Sequence, residues 1–282
     1  MKIGVASGKG GTGKTTVATS LAAVLSQGAL EVKYIDADVE EPNGHIFLKP
    51  QITSVEPVFV PVPTVDEDKC TGCGECGRIC QYSAIVVLAG KPLVFDALCH
   101  GCGGCWLVCP VDAISQGQRE VGVVEEGMAG NIGFVGGRLR VGEAMSPPLI
   151  REVKKRADGG DINIIDVPPG TSCPVVEALR GVDFALLVTE PTPFGLNDLE
   201  LAVGMVRELG MPFGVVVNRS DIGDDRVDRY GERNGVQILA RIPDDRRIAE
   251  TYSRGDLIVR ALPEYAELFA VLYDLIAEEV AV

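Results

Sequence analysis

Residues Gly8-Lys9-Gly10-Gly11-Thr12-Gly13-Lys14-Thr15-Thr16 follow, after Ser7, on the short apolar run Lys2-Ile3-Gly4-Val5-Ala6. From Gly8 to Thr15 the spacing is Gly-x4-Gly-Lys-Thr. In such a loop the glycines let backbone N–H groups turn inward around phosphate oxygens, and the N-terminus of the next helix adds positive potential. Lys14 is placed to reach the β- and γ-phosphates, and the Thr15 hydroxyl to meet Mg²⁺. The loop requires a strand before it and a helix after it. The chain is thereby committed to a βαβ opening: a strand over 2–6, a helix from about Lys14 to Ser26 stopped near Gly28, and a strand over Val32–Ile35. A chance glycine-rich turn is the rival reading, and the flanking pattern counts against it.

The same rhythm returns later. Ile162–Ile165, Phe184–Val188, Phe213–Val217 and Val236–Leu239 are short apolar runs suited to strands buried on both faces. Helical patterns near Pro147–Arg156, Asn197–Leu209 and Arg246–Arg254 separate them. A helix over about Pro263–Glu278 has one apolar and one acidic face and is expected to pack on the core. Between the halves the texture changes to Cys and Gly, opened by Pro61 and Pro63. The expected organisation is an α/β, doubly wound, mostly parallel domain over 1–60 and 119–282, with a small α+β module inserted over 61–118. The stretch from Arg119 to Ala144 reads as short strands.

With a net charge of −14 over 282 residues, the chain repels a phosphate backbone. Its longest basic run, Lys154-Lys155-Arg156, reads as a solvated helix face. No nucleic acid partner is therefore expected. No segment approaches the roughly 18 apolar residues of a membrane span, nor is a secretory leader visible, so neither membrane insertion nor export is expected and the chain reads as cytoplasmic.

Eight of the nine cysteines lie between Cys70 and Cys109, in two matching runs. Cys70-x2-Cys73-x2-Cys76-x3-Cys80 is echoed by Cys99-x2-Cys102-x2-Cys105-x3-Cys109, and Ser83-Ala84-Ile85 by Asp112-Ala113-Ile114. This is the bacterial ferredoxin spacing, in which three close cysteines wrap one cubane and the fourth ligates the other. Two [4Fe–4S] clusters follow, one on Cys70, Cys73, Cys76 and Cys109, the other on Cys99, Cys102, Cys105 and Cys80. Zinc is the rival, but a zinc ribbon needs only paired Cys-x2-Cys. A module this small has little apolar core and would lean on its clusters for stability. Pro110 follows the second run as the spacing expects, whereas Gln81 follows the first, implying a looser turn there. Trp106 reads as packing, His100 as solvent-facing, and Cys173 either as a small buried thiol or as a transient ligand.

Lys9 adds specificity. The loop resembles the deviant Walker A motif, Lys-Gly-Gly-x-Gly-Lys-Thr, of the MinD/ParA/nitrogenase-iron-protein class, within the SIMIBI P-loop NTPases. From Met1 to roughly Gly255, including Glu190-Pro191-Thr192-Pro193-Phe194-Gly195, the chain resembles MinD/Mrp-superfamily ATPases carrying an inserted 2[4Fe–4S] ferredoxin domain. The resemblance implies a slow, partner-stimulated, Mg²⁺-dependent ATPase acting as an ATP-dependent homodimer, with Lys9 crossing to the partner's nucleotide. It implies switch I at Asp36-Ala37-Asp38, with Asp38 addressing the attacking water and Asp36 near Mg²⁺. It implies a Walker B strand and switch II at Ile164–Gly170, with Asp166 toward Mg²⁺ and the Gly170 N–H toward the γ-phosphate. Asn218 and Arg219 would flank the adenine, and Pro243 would close over it. No guanine-selective Asn-Lys-x-Asp pattern is present. The function implied is coupling of nucleotide state to cluster assembly or insertion, or to electron transfer, with a client metalloprotein or redox partner. The alternative is a MinD/ParA-like spatial-positioning switch.

Overall fold

The computed structural model describes residues 1–156 and 159–281. The chain runs β1 (Lys2–Ala6), α1 (Lys14–Leu25), β2 (Val32–Asp36), α2 (Gly44–Leu48), β3 (Gln51–Val65), α3 (Glu75–Ile79), β4 (Ile85–Leu88), β5 (Lys91–Val94), α4 (Gly104–Leu107), β6 (Ile114–Ala129) and β7 (Ile132–Leu139). It continues through α5 (Pro147–Arg156), β8 (Ile162–Asp166), α6 (Cys173–Leu179), β9 (Phe184–Thr189), α7 (Pro193–Glu208), β10 (Phe213–Asn218), α8 (Arg226–Asn234), β11 (Ile238–Ile242), α9 (Arg246–Ser253), α10 (Ile258–Ala261) and α11 (Ala266–Ala281).

Among the described residues nine strands form one sheet, ordered β11-β10-β9-β1-β8-β2-β7-β6-β3. The pairs from β11 to β7 are parallel, and β6 and β3 add antiparallel to the edge. Alternation along β9 shows why its run is continuously apolar. Phe184, Leu186 and Val188 enter one core and Ala185 and Leu187 the other, so both faces are covered. The first core takes α1, α10 and α11; Phe269, Leu272 and Ile276 of α11 are buried in it, as the amphipathic pattern implies. The second takes α5, α6 and α7. The last expected strand starts two residues later than the reading, at Ile238, and α7 starts four earlier, at Pro193, where the Thr192 side chain accepts from Gly195 N–H at 3.0 Å.

The short strands expected between Arg119 and Ala144 are instead two long ones. β3 and β6 pair from Gln51↔Met128 out to Val65↔Ile114, while β7 supports β6 only from Ala129 back to Gly122. Beyond that, Ile114–Val121 runs on with β3 as a two-stranded ribbon, roughly 25 Å at about 3.4 Å per residue. Pro61 and Pro63 therefore do not break the chain. They sit with Pro57 in β3, an edge strand, where a missing N–H facing outward costs no ladder bond. Both ends of the 61–118 segment lie in this ribbon, and 66–113 are carried at its tip.

The tip is built twice over. Gly74 and Gly103 take φ of +80° and +79° just before α3 and α4, left-handed values that favour glycine. Ala84 N–H donates to Cys80 Sγ at 3.3 Å and Ala113 N–H to Cys109 Sγ at 3.2 Å. Phe95 N–H donates to Ala84 O at 2.7 Å, and Asp66 N–H to Ala113 O at 2.8 Å. The turn after Cys80 closes like that after Cys109, so Gln81 in place of proline does not open it: Ser83 N–H reaches Cys80 O at 3.5 Å and Asp112 N–H reaches Cys109 O at 3.3 Å. No helix among the described residues is long and apolar enough to cross a membrane. The basic run on α5 is engaged rather than free. Lys154 donates to Glu177 O, Lys155 pairs with Glu152, and Arg156 pairs with Glu56 and Glu126.

Candidate functional site: a phosphate loop and a cysteine module

The loop between β1 and α1 lies at the carboxyl ends of the parallel strands, where open α/β sheets hold ligands. Gly11 and Gly13 take φ of +81° and +93°, and a Cβ on Gly13 would fall 2.3 Å from Asn218 Nδ2. The loop opens into a cleft of about 340 Å³. Gly10, Gly11, Gly13, Lys14, Thr15 and Thr16 line it, as do Asp38 and, on the far wall, Asn218, Arg219 and Pro243. Of the remaining sequence candidates, Gly8, Lys9, Thr12, Asp36, Asp166 and Gly170 do not line it. Asn218 points its amide at the loop itself, donating to Thr12 O at 2.8 Å. Gly170 N–H is held by Ser7 O at 2.8 Å. The sequence reading missed Ile248, Ala249 and Tyr252 of α9, which supply the cleft's apolar wall.

Lys14 is the centre of charge. Its Nζ pairs with Asp166 Oδ1 and stands 3.7 Å from Asp38 Oδ2. Burial works against the ammonium, but Asp166, Asp38 and Asp36 together push its pKa up. Asp166 spends its other oxygen on Tyr34 Oη, which donates at 2.8 Å. Asp36 is fully buried and accepts from Gly44 N–H at 2.9 Å and Asp38 N–H at 3.3 Å. Burial, then the neighbouring Asp166, raise Asp36 well above the carboxylate range, against Lys14 and the Gly44 N–H. Tyr34 was also missed; a buried tyrosine two residues before a strand-end carboxylate was the available signal, since its hydroxyl needs a partner.

Burial pushes the Asp38 carboxyl up to about 6, opposed by Lys14 and abetted by Asp166 and Glu40. The folded value lies above the ordinary 3.8, so a charged Asp38 costs the ligand-free fold stability above about pH 6, and the cost lifts as pH falls toward 3.8. If Asp38 acts on water as a carboxylate, kcat/KM for ATP should fall about tenfold per unit below about pH 6. Asp38→Asn should abolish hydrolysis and raise ligand-free thermal stability at pH 8. A wild-type profile flat from pH 7 to 5 would remove Asp38 from that role.

Lys9 lies outside its own cleft, 3.7 Å from Glu190 Oε2. Glu190, largely buried at the end of β9, also faces Arg219 at 3.5 Å. This carboxylate clamp was missed as well, although Glu190 ends an apolar strand run in the sequence.

At the ribbon tip one cavity is walled by Cys70, Cys73, Cys76 and Cys109. The first three come from one run and the fourth from the other, 33 residues on, at the partition the spacing implies. Cys80 packs on two small cores, one with Cys99, Ala84 and Val62 and the other holding Cys76 and Cys105. Burial pushes the Cys76 and Cys105 thiols up, offset by backbone N–H groups, with Cys70 and Cys73 adding in the first case and Cys99 and Cys102 in the second. At Cys80 burial also pushes upward, but the N–H groups of Tyr82, Ile85, Ala84 and Ser83 outweigh it and the thiol is lowered. None of the nine cysteines is in a disulfide. Among the described residues no three His, Cys, Asp or Glu side chains converge as on a single metal ion. Trp106 packs against the core around Cys76 and Cys105, and exposed His100 stacks on Tyr82 at 3.5 Å. Cys173 is not a buried thiol: it is exposed at the start of α6.

The CobQ/CobB/MinD/ParA nucleotide binding domain profile matches residues 3–258. An uncharacterized protein of Methanocaldococcus jannaschii is 31% identical over 268 residues, covering 92% of each chain. An iron-sulfur cluster carrier protein of Aquifex aeolicus is 28% identical over 284 residues, covering 93% of this chain and 62% of its own length. Among solved structures, the septum site-determining protein MinD of Pyrococcus horikoshii, complexed with Mg-ADP, superposes with a TM-score of 0.63 at 22% identity, covering 98% of this chain and 95% of that one. The phosphate loop, the sheet order and the profile over residues 3–258 converge: this chain belongs to the CobQ/CobB/MinD/ParA nucleotide-binding family and is a P-loop ATPase of the MinD/ParA type.

Proposed function

We propose that this ATPase is an iron–sulfur protein in which the nucleotide state controls what two [4Fe–4S] clusters on residues 66–113 do for a partner, either assembling or inserting a cluster in a client or passing it electrons. The observation that carries the reading is the cavity shared by Cys70, Cys73, Cys76 and Cys109, assembled from two distant runs, beside its counterpart where Cys80 meets Cys99. The donor set fits: thiols on cavity walls, with backbone N–H groups directed at Cys80, Cys99 and Cys109 sulfur. The named activity of the Aquifex aeolicus relative supports a cluster role. A purely spatial-positioning switch shares the fold but has no use for eight such cysteines. This module is ferredoxin-like in the sense of its repeated runs and its crossed fourth ligands.

In this reading ATP occupies the cleft with Lys14 on the β- and γ-phosphates and Mg²⁺ near Thr15, Asp36 and Asp166. Lys14 moving to phosphate would free Asp166 Oδ1, which with Thr15 and Asp36 would hold Mg²⁺, and the cation would offset charge on the phosphates. Asp38 then orients the attacking water. Gly170 N–H exchanges Ser7 O for the γ-phosphate, which pulls in switch II. Lys9 leaves Glu190 and enters the partner's site in an ATP-dependent homodimer, where it meets the charge that builds on the transferred phosphoryl. When bound, the clusters supply one-electron chemistry or exportable iron and sulfide.

Anaerobic reconstitution should give about eight iron and eight sulfide per chain, four of each per cluster. The crossed ligation makes a sharper prediction. Cys70→Ser/Cys109→Ser should keep about half the iron, because both changes strike one cluster, whereas Cys70→Ser/Cys80→Ser should lose nearly all of it. Equal losses in the two pairs would refute the crossing, and zinc in place of iron and sulfide would end the reading.

A further inference from the structure

The second cysteine run is tied to the ATPase body by a buried arginine. Arg119 pairs with Val60, two residues before Val121, the extra residue that β6 carries between the pairs Val58↔Gly122 and Phe59↔Glu120, a bulge that re-aims its neighbours. Its side chain is 7% exposed and pairs with Glu143, itself 1% exposed. Arg119 Nη2 also donates to Cys99 O at 3.3 Å, and its Nε is buried without a partner among the described residues. A guanidinium so placed is held in one geometry, and any shift of Glu143 is felt at the Cys99 carbonyl. Cys99 is clamped from the other side by the ribbon: its loop packs on Pro61, where a Cβ on Gly101 would lie 3.1 Å from Pro61 O.

Glu143 leads back to the nucleotide. It sits in the tight loop after β7, where Glu143 N–H donates to Arg140 O at 2.9 Å and Met145 N–H to Glu143 Oε1 at 3.1 Å. Ser146, 1% exposed, closes that loop, and its hydroxyl donates to Glu40 Oε1 at 2.7 Å. Glu40 is two residues past Asp38, and Leu139 N–H holds Val39 O at 2.8 Å. Segment 38–40, whose Asp38 lines the cleft, thus touches the 139–146 loop at two points, and Glu143 of that loop reaches the Cys99 turn through Arg119.

We propose that Arg119 is a positioning residue that transmits the nucleotide-dependent state of segment 38–40 to the Cys99 turn, through Glu143, Ser146 and Glu40. The proposal rests on the iron–sulfur reading above and adds to it which cluster is coupled, the one on Cys99, Cys102, Cys105 and Cys80, and by what contacts. The two-state element is segment 38–40, and coupling across it is reciprocal.

The test uses the cluster-loaded chain with a non-hydrolysable ATP analogue. Amide exchange over 96–103 should change on analogue binding, and the analogue's Kd should differ by about fivefold or more between loaded and cluster-free chain. Glu40→Ala, at an exposed position, removes the acceptor for Ser146 and should bring that ratio near one and silence the exchange change. Glu40→Gln keeps an acceptor with the same loss of charge and should behave as wild type. Arg119→Lys keeps a cation beside Glu143 but loses the second branch to Cys99 O, and should behave as Glu40→Ala. If wild type responds and Glu40→Ala responds equally, the proposal is overturned while the iron–sulfur reading stands. If wild type itself shows neither response, the nucleotide does not reach the clusters and both fall.

Discussion

Lys14→Met is expected to abolish ATP binding and also to weaken the ligand-free fold by roughly 3–5 kcal/mol at pH 8. The second effect is the less obvious one. Lys14 is the cation among Asp166, Asp38 and Asp36, two of which are fully buried. Removing it leaves buried carboxylates facing one another with only Tyr34 Oη and a few N–H groups as partners. They escape by taking up protons. The pKa values of Asp36 and Asp38 are already raised above those of an unfolded chain, so the folded variant binds protons more readily than the unfolded one. Its stability must then rise as pH falls, and the deficit should shrink between pH 8 and 5.5. Denaturant unfolding at those two pH values measures it. A variant as stable as wild type at pH 8 would mean that the carboxylates do not depend on Lys14.

Lys9→Ala should have the opposite profile. ATP affinity should stay within about threefold, because Lys9 does not line its own cleft, while hydrolysis should fall by about 10³ or more, the scale of a lost cationic finger. In the ligand-free chain Lys9 is paired with Glu190, which retains Arg219 when Lys9 is gone, so no buried charge is orphaned and the fold should be little affected. Mixing separates a lysine that acts across a dimer from one that acts at home. Lys9→Ala keeps Asp38, and Asp38→Ala keeps Lys9. Their heterodimer contains one site with both groups, so hydrolysis should reappear on mixing two inactive proteins. Continued silence at concentrations that dimerise the wild type would place Lys9 in its own protomer's chemistry.

The parts legible in the sequence were those where one physical demand dominates. Strands buried on both faces must be apolar throughout, and Ile162–Asp166 and Phe184–Thr189 lie within a residue of their reading. The loop from Gly8 to Thr15 needs left-handed glycines, and Gly11 and Gly13 supply them. The β3–β6 ribbon was not legible, because an edge strand tolerates residues a central strand forbids. Pro61 and Pro63 read as the opening of a separate segment when only their pairing side is at issue. α7 was entered late because Pro193 and Gly195 look like a loop, although Thr192-Pro193 is a helix start by capping and fixed φ. Around the cleft, Tyr34, Glu190 and the α9 wall were missed for a common reason. Each acts through a neighbour far away in sequence: Tyr34 through Asp166, Glu190 through Lys9, Tyr252 through the shape of the cleft. The local pattern marks Tyr34 and Glu190 at strand ends, but spacing along the chain does not name the partner of either.

Val65 and Ile114 are already cross-strand partners where the chain leaves and re-enters the ribbon. Their Cα atoms stand as close as those flanking any tight hairpin, about 5 Å apart. A short turn joining them would close the sheet with every strand of the ATPase still in register. The backbone of residues 66–113 thus meets the sheet at one seam, and a chain with a short turn in their place is expected to keep its nine strands while leaving Arg119 without Cys99 O and Pro61 without Gly101.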